Sequence, residues 1–394
     1  FMPALLLTAL TTSCAATAQT LPNDGPAKGA YGKAAATRAP EDPNLVWTPA
    51  ATALMSRELA PGVFAVFPDD AERKSAAGIP VATSGGFVVG QSKVLLIDTM
   101  INRNLANQLL ALVAEQSKAP IQYAVNTSYH GDHTYGNQFL PESTEIIQHA
   151  NTQTYVQTNF KNDIAFMSKF FGSDSGLGEL EPQTAEILIK DGESRNIDLG
   201  GKIVRVMHLG FAQTKGDLFV YVPSDKVLFT GNPILSGGPS FSWLLDGQAA
   251  AATATLKRIR SEFPADTIIV PGHGVPTDMG AVDRHIAYLE ELQREVASAK
   301  AEGLTVAQTS SRVGERMQAK WGAYKVYPFI HTDLNVPKTY HANTFLLTTI
   351  TNLLGSRFTA TGRPAPSGVR ANTNSVSVSA SCAASAGASS TVTS

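Results

Sequence analysis

The stretch TSYHGDH, residues 127–133, sets His130, Asp132 and His133 within four consecutive positions. Histidine nitrogens and carboxylate oxygens are the usual zinc donors where cysteine is absent. These three side chains are close enough in sequence to serve one metal or two adjacent ones. One loop cannot close such a site alone. A further donor lies in PGHG at 271–274, where His273 stands between Gly272 and Gly274, glycines that let the backbone turn sharply.

The surroundings of both motifs are patterned. The first follows a β-like run, Ile121 to Val125, and the second follows Ile268 to Val270. Other such runs are Val63 to Phe67, Gly86 to Val89, Val94 to Asp98, Ile203 to Val206, Leu218 to Val222 and Val227 to Thr230. Apolar residues recur at helical spacing over 104–117, 248–263, 281–301 and 305–320. Strands followed by helices, twice over, predict an α/β chain of two sheets packed face to face with helices outside. The polar motifs fall just after strand ends, where loops along one sheet edge converge.

Composition narrows the function classes. The chain has 394 residues, 43% hydrophobic and 16% charged, with a net charge of −2. No basic stripe points to nucleic acid, and no apolar run is long enough to span a membrane. A small-molecule substrate is the expected partner; the oligomeric state cannot be read. The two cysteines, Cys14 and Cys382, fall in segments outside the patterned core, so any metal must be held by His, Asp, Glu or amides. Residues 1–18 read as a signal peptide with Ala16-Thr17-Ala18 before the cleavage point, which predicts an exported, periplasmic or extracellular protein. A lipid anchor at Cys14 is the weaker alternative. Residues 19–50 read as a linker or arm, 51–355 as the folded domain with a C-terminal helical extension, and 356–394 as a disordered Ser/Ala-rich tail.

The ordered set of motifs resembles the metallo-β-lactamase superfamily. It comprises a strand ending in Asp98, TSYHGDHTYGN at 127–137, AQTKGD at 212–217, LFTGN at 228–232 and PGHG. The resemblance runs from about Val63 to Gly274. It implies a four-layer αββα sandwich with a metal site at one edge, commonly two zinc ions, and hydrolysis by zinc-activated water. Three positions depart from the family pattern. Ser128 stands for the first histidine of HxHxDH, Gln213 for the histidine of HTxGD, and Asn232 for the aspartate of TGD. The first metal would thus keep only His130. The second keeps Asp132, His133 and His273.

Serine, glutamine and asparagine oxygens are weak zinc donors. Asp132 alone would have to offset two adjacent dications. The reading is therefore a single zinc on Asp132, His133 and His273, with Ser128, Gln213 and Asn232 as degenerate ligand positions. His130, released from metal, would serve as general base or hold the attacking water, beside Asp132 and Asn232. The function expected is a secreted hydrolase cleaving an amide, lactam, ester or lactone bond. One alternative is a catalytically inactive binding protein on the same fold, holding no metal. An iron-dependent sulfur oxygenase ranks last, because all three positions it would need have changed. Of the other histidines, His149 and His208 read as packed strand-end residues, and His285 as a surface residue of a helix. Asn126-Thr127-Ser128 is formally a glycosylation sequon, discounted for its place beside the site.

Overall fold

The computed structural model of the protein describes residues 43–342. The signal segment, both cysteines and the tail at 356–394 lie outside them. The first sheet takes its strands in chain order: β1 (Leu54–Ala60), β2 (Val63–Pro68), β3 (Gly85–Val89), β4 (Val94–Ile97), β5 (Ile121–Val125), β6 (Glu145–His149) and β7 (Ile187–Ile189). β1 to β4 pair antiparallel, and β4 to β7 pair parallel. The second sheet holds β8 (Ser194–Asp198), β9 (Ile203–Met207), β10 (Phe219–Val222), β11 (Val227–Gly231) and β12 (Ile268–Pro271), ordered 12-11-10-9-8. Only β11 and β12 pair parallel there.

Alternation along the strands produces the layers. Leu95 and Ile97 of β4 face inward with Val125, and meet Val206, Val220 and Phe229 of the second sheet. Val94 and Leu96 point the other way, against Leu105 and Leu109 of α1 (Arg103–Gln116) and Val156 and Phe160 of α2 (Ala150–Phe171). On the second sheet Phe219, Leu228 and Ile269 face α3 (Ala249–Glu262) and α4 (Met279–Ala301). Behind these stands α5 (Val306–Trp321), with Phe241 stacked on Tyr288 at 4.3 Å. Period-two side chains thus bury both faces of each sheet. The result is the expected αββα sandwich.

The sequence reading did not include β1, β7, β8 or α2, and it misplaced one histidine. α2 was not anticipated; its Thr- and Asn-rich composition is poor for helices. Yet Val156, Phe160, Ile164, Met167 and Phe171 recur every three or four residues and pack on the first sheet. His285, expected at the surface, is buried. Its Nδ1–H donates to the Ala281 carbonyl, and its Nε2 accepts from the Leu235 amide, so it ties α4 to the loop after β11. Within the segment read as a linker, Leu45 and Trp47 pack on the domain. No helix among the described residues is long and apolar enough to cross a membrane.

Parallel pairing positions the site. Ile97 of β4 pairs with Val125 of β5, so Asp98 and the 126–133 loop leave the first sheet at one edge. Gly231 of β11 pairs with Pro271 of β12, so Asn232 and the turn carrying His273 leave the second sheet together. The two groups of loops meet.

Candidate metal centre

Asp98 anchors the metal loop. Its backbone takes φ 58°, a left-handed conformation uncommon for a residue other than glycine. The buried carboxylate accepts from the Thr127 amide and hydroxyl, both at 2.8 Å, and from His133 Nδ1 at 2.8 Å. These bonds hold the chain turn that delivers His133. Across the cleft, Gly272 has no room for a side chain, because a Cβ there would sit 2.4 Å from Asn232 Oδ1. Its φ is not left-handed, so close approach rather than turning is what requires glycine. Gly274, at φ 145°, does supply the turn. Asn126 is fully buried, which removes the sequon as an acceptor.

Three donors converge. Asp132 Oδ2 lies 3.5 Å from His133 Nε2 and 3.4 Å from His273 Nε2. All three ligand atoms lie within 4.8 Å of one another. Each imidazole is pinned on its far side. His133 Nδ1–H donates to Asp98, and His273 Nδ1–H donates to the Val81 carbonyl at 3.0 Å. That fixes the proton on Nδ1 and turns Nε2 toward Asp132, the arrangement metal-bound histidines need. Asp132 is held from behind by the Thr83 hydroxyl at 2.6 Å.

Charge supports the same reading. Burial pushes His273 down to about 4, so the ring is neutral near pH 7. Its Nε2 lone pair then faces a carboxylate oxygen with no proton between them. Two acceptors so opposed call for a cation. Burial works against the charged form of His133, but Asp132 and Asp98 outweigh it and raise the ring to about 9. Asp132 resists burial because His133 and His273 hold it down to about 2. The donor set therefore fits a divalent ion.

The three departing positions are engaged otherwise. Ser128 is buried, and its Oγ accepts from the His130 amide. Gln213 Nε2 donates to the Trp243 carbonyl, while its Oε1 is buried without a partner. The Gln213 turn is built on Asp217, whose carboxylate accepts from the amides of Ala212, Gln213 and Thr214. Asn232 bridges two rings, with Oδ1 3.0 Å from His133 Nε2 and Nδ2 3.1 Å from His130 Nδ1.

His130 has a partner the sequence reading missed. Its Nε2 lies 2.9 Å from Asp246 Oδ2, and that carboxylate is only 4% exposed. Asn232 donates to Nδ1, so the ring proton sits on Nε2 and is given to Asp246. Burial opposes a charge on this ring, but the Asp246 bond prevails and its pKa is raised. Asp246 follows no strand directly and belongs to no motif, so only its distance to His130 reveals it.

A second group, His149, Asp191 and His208, also brings three ligand atoms within 4.8 Å. Its rings are turned the other way. His149 Nδ1 accepts from the Asn151 amide at 3.1 Å, and His208 Nδ1 accepts from the Gly192 amide at 2.9 Å. Each ring proton then sits on Nε2, the atom a metal would need.

Residues 78–273 match the family model of the metallo-beta-lactamase superfamily. Type 2 metallo-beta-lactamases align with the chain in two species. The Bacteroides fragilis enzyme is 23% identical over 195 residues, covering 49% of this chain and 70% of that protein. The Bacillus cereus enzyme is 23% identical over 199 residues, covering 50% and 69%. Among solved structures, a metallo-beta-lactamase from Pontibacter korlensis superposes with a TM-score of 0.46 at 17% identity, covering 60% of this chain and 99% of that one. The chain belongs to the metallo-beta-lactamase superfamily. It is a metallohydrolase of that fold, with Asp132, His133 and His273 as candidate metal ligands.

Proposed function

We propose that the protein is an exported hydrolase that works with a single zinc ion held by Asp132, His133 and His273, and that it cleaves an amide, lactam, ester or lactone bond. The observation that carries this is the His273 lone pair set against Asp132 Oδ2 at 3.4 Å, each atom an acceptor. A single ion is favoured because Ser128 Oγ accepts from a backbone amide, His130 Nε2 is taken by Asp246, and Gln213 offers only a neutral amide oxygen, a weak donor for zinc. Zinc at such a centre supplies a Lewis acid and acidifies water.

The chain's own groups handle the proton. His130 Nδ1, the ring atom without a proton, faces Asn232 beside the metal ligands. Once water replaces the Asn232 amide there, His130 takes the water proton at Nδ1 as the oxygen adds to the carbonyl carbon. It returns that proton to the leaving nitrogen or oxygen as the carbon–heteroatom bond breaks. Asp246 keeps the ring in the required tautomer and stabilises its transient positive charge, the role an aspartate plays behind a catalytic histidine. Before water enters, Asn232 spans His130 and His133 and sets their spacing.

Zinc analysis after zinc-supplemented dialysis tests the reading, with about one equivalent expected from the one complete donor set. A value near zero would remove the basis for hydrolysis and favour a binding protein. Ser128→His, Gln213→His and Asn232→Asp together are expected to raise the value towards two. A hydrolase screen on the loaded protein, repeated with His130→Ala, tests the base; activity undiminished by that change would displace His130 from the role.

A further inference from the structure

The cleft above the metal centre encloses about 520 Å³. His130, Asp132, Asn232 and His273 line one end of it. The rest of its wall is apolar and carries half-buried aromatic side chains from four separate parts of the chain. Trp47 comes from the segment before β1, Phe166 and Phe170 from the end of α2, and Trp243 and Phe329 from the loop after β11 and the helical segment Pro328–Asn335. They form two walls. In one, Trp47 and Phe170 each pack on Phe171, at 4.7 and 5.0 Å between ring centroids. In the other, Trp243 meets Phe329 edge-on at 6.1 Å.

Trp47 and Phe329 lie outside residues 78–273, so part of this wall is built by chain beyond the segment shared with the family. Large aromatic rings kept partly open to solvent in one concave place mark a binding surface rather than a core. The charges agree on what it takes. Among the described lining residues, Asp132 and Asp163 are carboxylates and Lys169, at the exposed rim, is the one cation besides histidine. Asp163 sits between the hydroxyls of Tyr135 and Tyr155, both at 3.1 Å. An anionic group pushed into the aromatic walls would lose hydration with nothing to replace it.

We infer that this cleft selects substrates with a long, uncharged apolar arm, an acyl chain of about eight or more carbons or an aryl equivalent, attached to the carbonyl that is cleaved. The inference rests on the hydrolase reading for its chemistry. It does not rest on it for binding, because the aromatic walls are separate from the metal ligands. A chain of eight carbons reaches about 10 Å when extended.

Calorimetric titration of the full chain, with zinc and after chelation, tests it. The probes are N-methylacetamide, N-methylhexanamide and N-methyldecanamide, with the mono-N-methylamide of decanedioic acid as the charged-tail counterpart. Affinity is expected to rise with each added methylene by up to about fourfold, with and without zinc. The charged tail is expected to bind about tenfold more weakly than N-methyldecanamide. Phe166→Ala and Phe329→Ala should each weaken the decanamide about tenfold and leave the acetamide unchanged. Phe166 lies on a half-exposed helix face, so that variant is expected to fold even if the other does not. Affinity independent of chain length, a charged tail that binds as well as the neutral one, or a folded Phe166→Ala that binds normally would each overturn the inference. If short esters are hydrolysed and length has no effect, the inference falls and the hydrolase reading stands. If the decanamide binds in a length-dependent way while the zinc-loaded protein hydrolyses nothing, the hydrolase reading falls and the binding inference stands.

Discussion

Two clusters in this molecule each join two histidines to an aspartate, and each gathers its ligand atoms within the same 4.8 Å. By residue type they are equivalent. They differ in what touches the other nitrogen of each ring. At Asp132, His133 and His273 the far nitrogens donate to acceptors, Asp98 and the Val81 carbonyl. At His149, Asp191 and His208 they accept from backbone amides. In the first cluster His273 Nε2 is free to give a lone pair to a cation, and His133 Nε2 is free to do so once it releases the proton it holds towards Asn232 and Asp132. In the second they carry protons, and His149 Nε2 lies 3.2 Å from Asp191 Oδ1. A metal in the second cluster would have to break two backbone hydrogen bonds. Donor proximity therefore does not make a metal site; the hydrogen bonds behind the donors do.

The contrast can be broken most directly by deletion. His273→Ala should drop bound zinc to a small fraction of an equivalent, while His208→Ala should leave it unchanged, read by metal analysis after dialysis. Equal losses from both variants would mean that the second cluster also holds metal. A smaller effect is expected from the supporting carboxylates. Asp98→Asn should weaken zinc binding by about 10- to 100-fold, and Asp191→Asn should leave it as it was, in competition titrations with a chromophoric chelator.

Protons sharpen the comparison further. His133, raised to about 9 in the metal-free chain, is an imidazolium at pH 7.5 and must give up its Nε2 proton to a metal. About one proton should be released for each zinc bound, seen as a dependence of the calorimetric heat on buffer ionisation enthalpy. Zero release would show that His133 is already neutral.

The smallest effect is on stability. His285 and His331 are both held down to about 4 by burial. Unfolded, they take up protons near their ordinary value of 6.5. Below that pH the unfolded chain binds more protons than the folded one, so the melting temperature should fall as pH drops from about 6.5 towards 4. Replacing His331 with Gln should flatten that slope. A slope unchanged in the variant would mean that His331 is not what the unfolding chain protonates.

Much of the fold could be read from the chain because β-runs of four or five apolar residues, such as Val94 to Ile97, are buried on both faces and carry their own signal. α2 was harder, since its threonines and asparagines argue against a helix and only packing on the first sheet overrides them. The site residues were legible for a similar reason: His130, Asp132, His133 and His273 lie in turns that local sequence marks. Asp246 and Thr83 lie in no motif. Each matters only because folding brings it beside a residue far along the chain, 116 positions away for Asp246 and 49 for Thr83.

The sequence by itself determined which atoms are available: two imidazoles and a carboxylate at strand ends, and three neutral side chains where a second metal would need better donors. Tertiary structure decided what those atoms can do. The bonds that set the tautomers come from Asp98, 35 positions from His133, and from Val81, 192 positions from His273. An imidazole has one lone pair to give, and the direction it points is settled by whatever meets its other nitrogen.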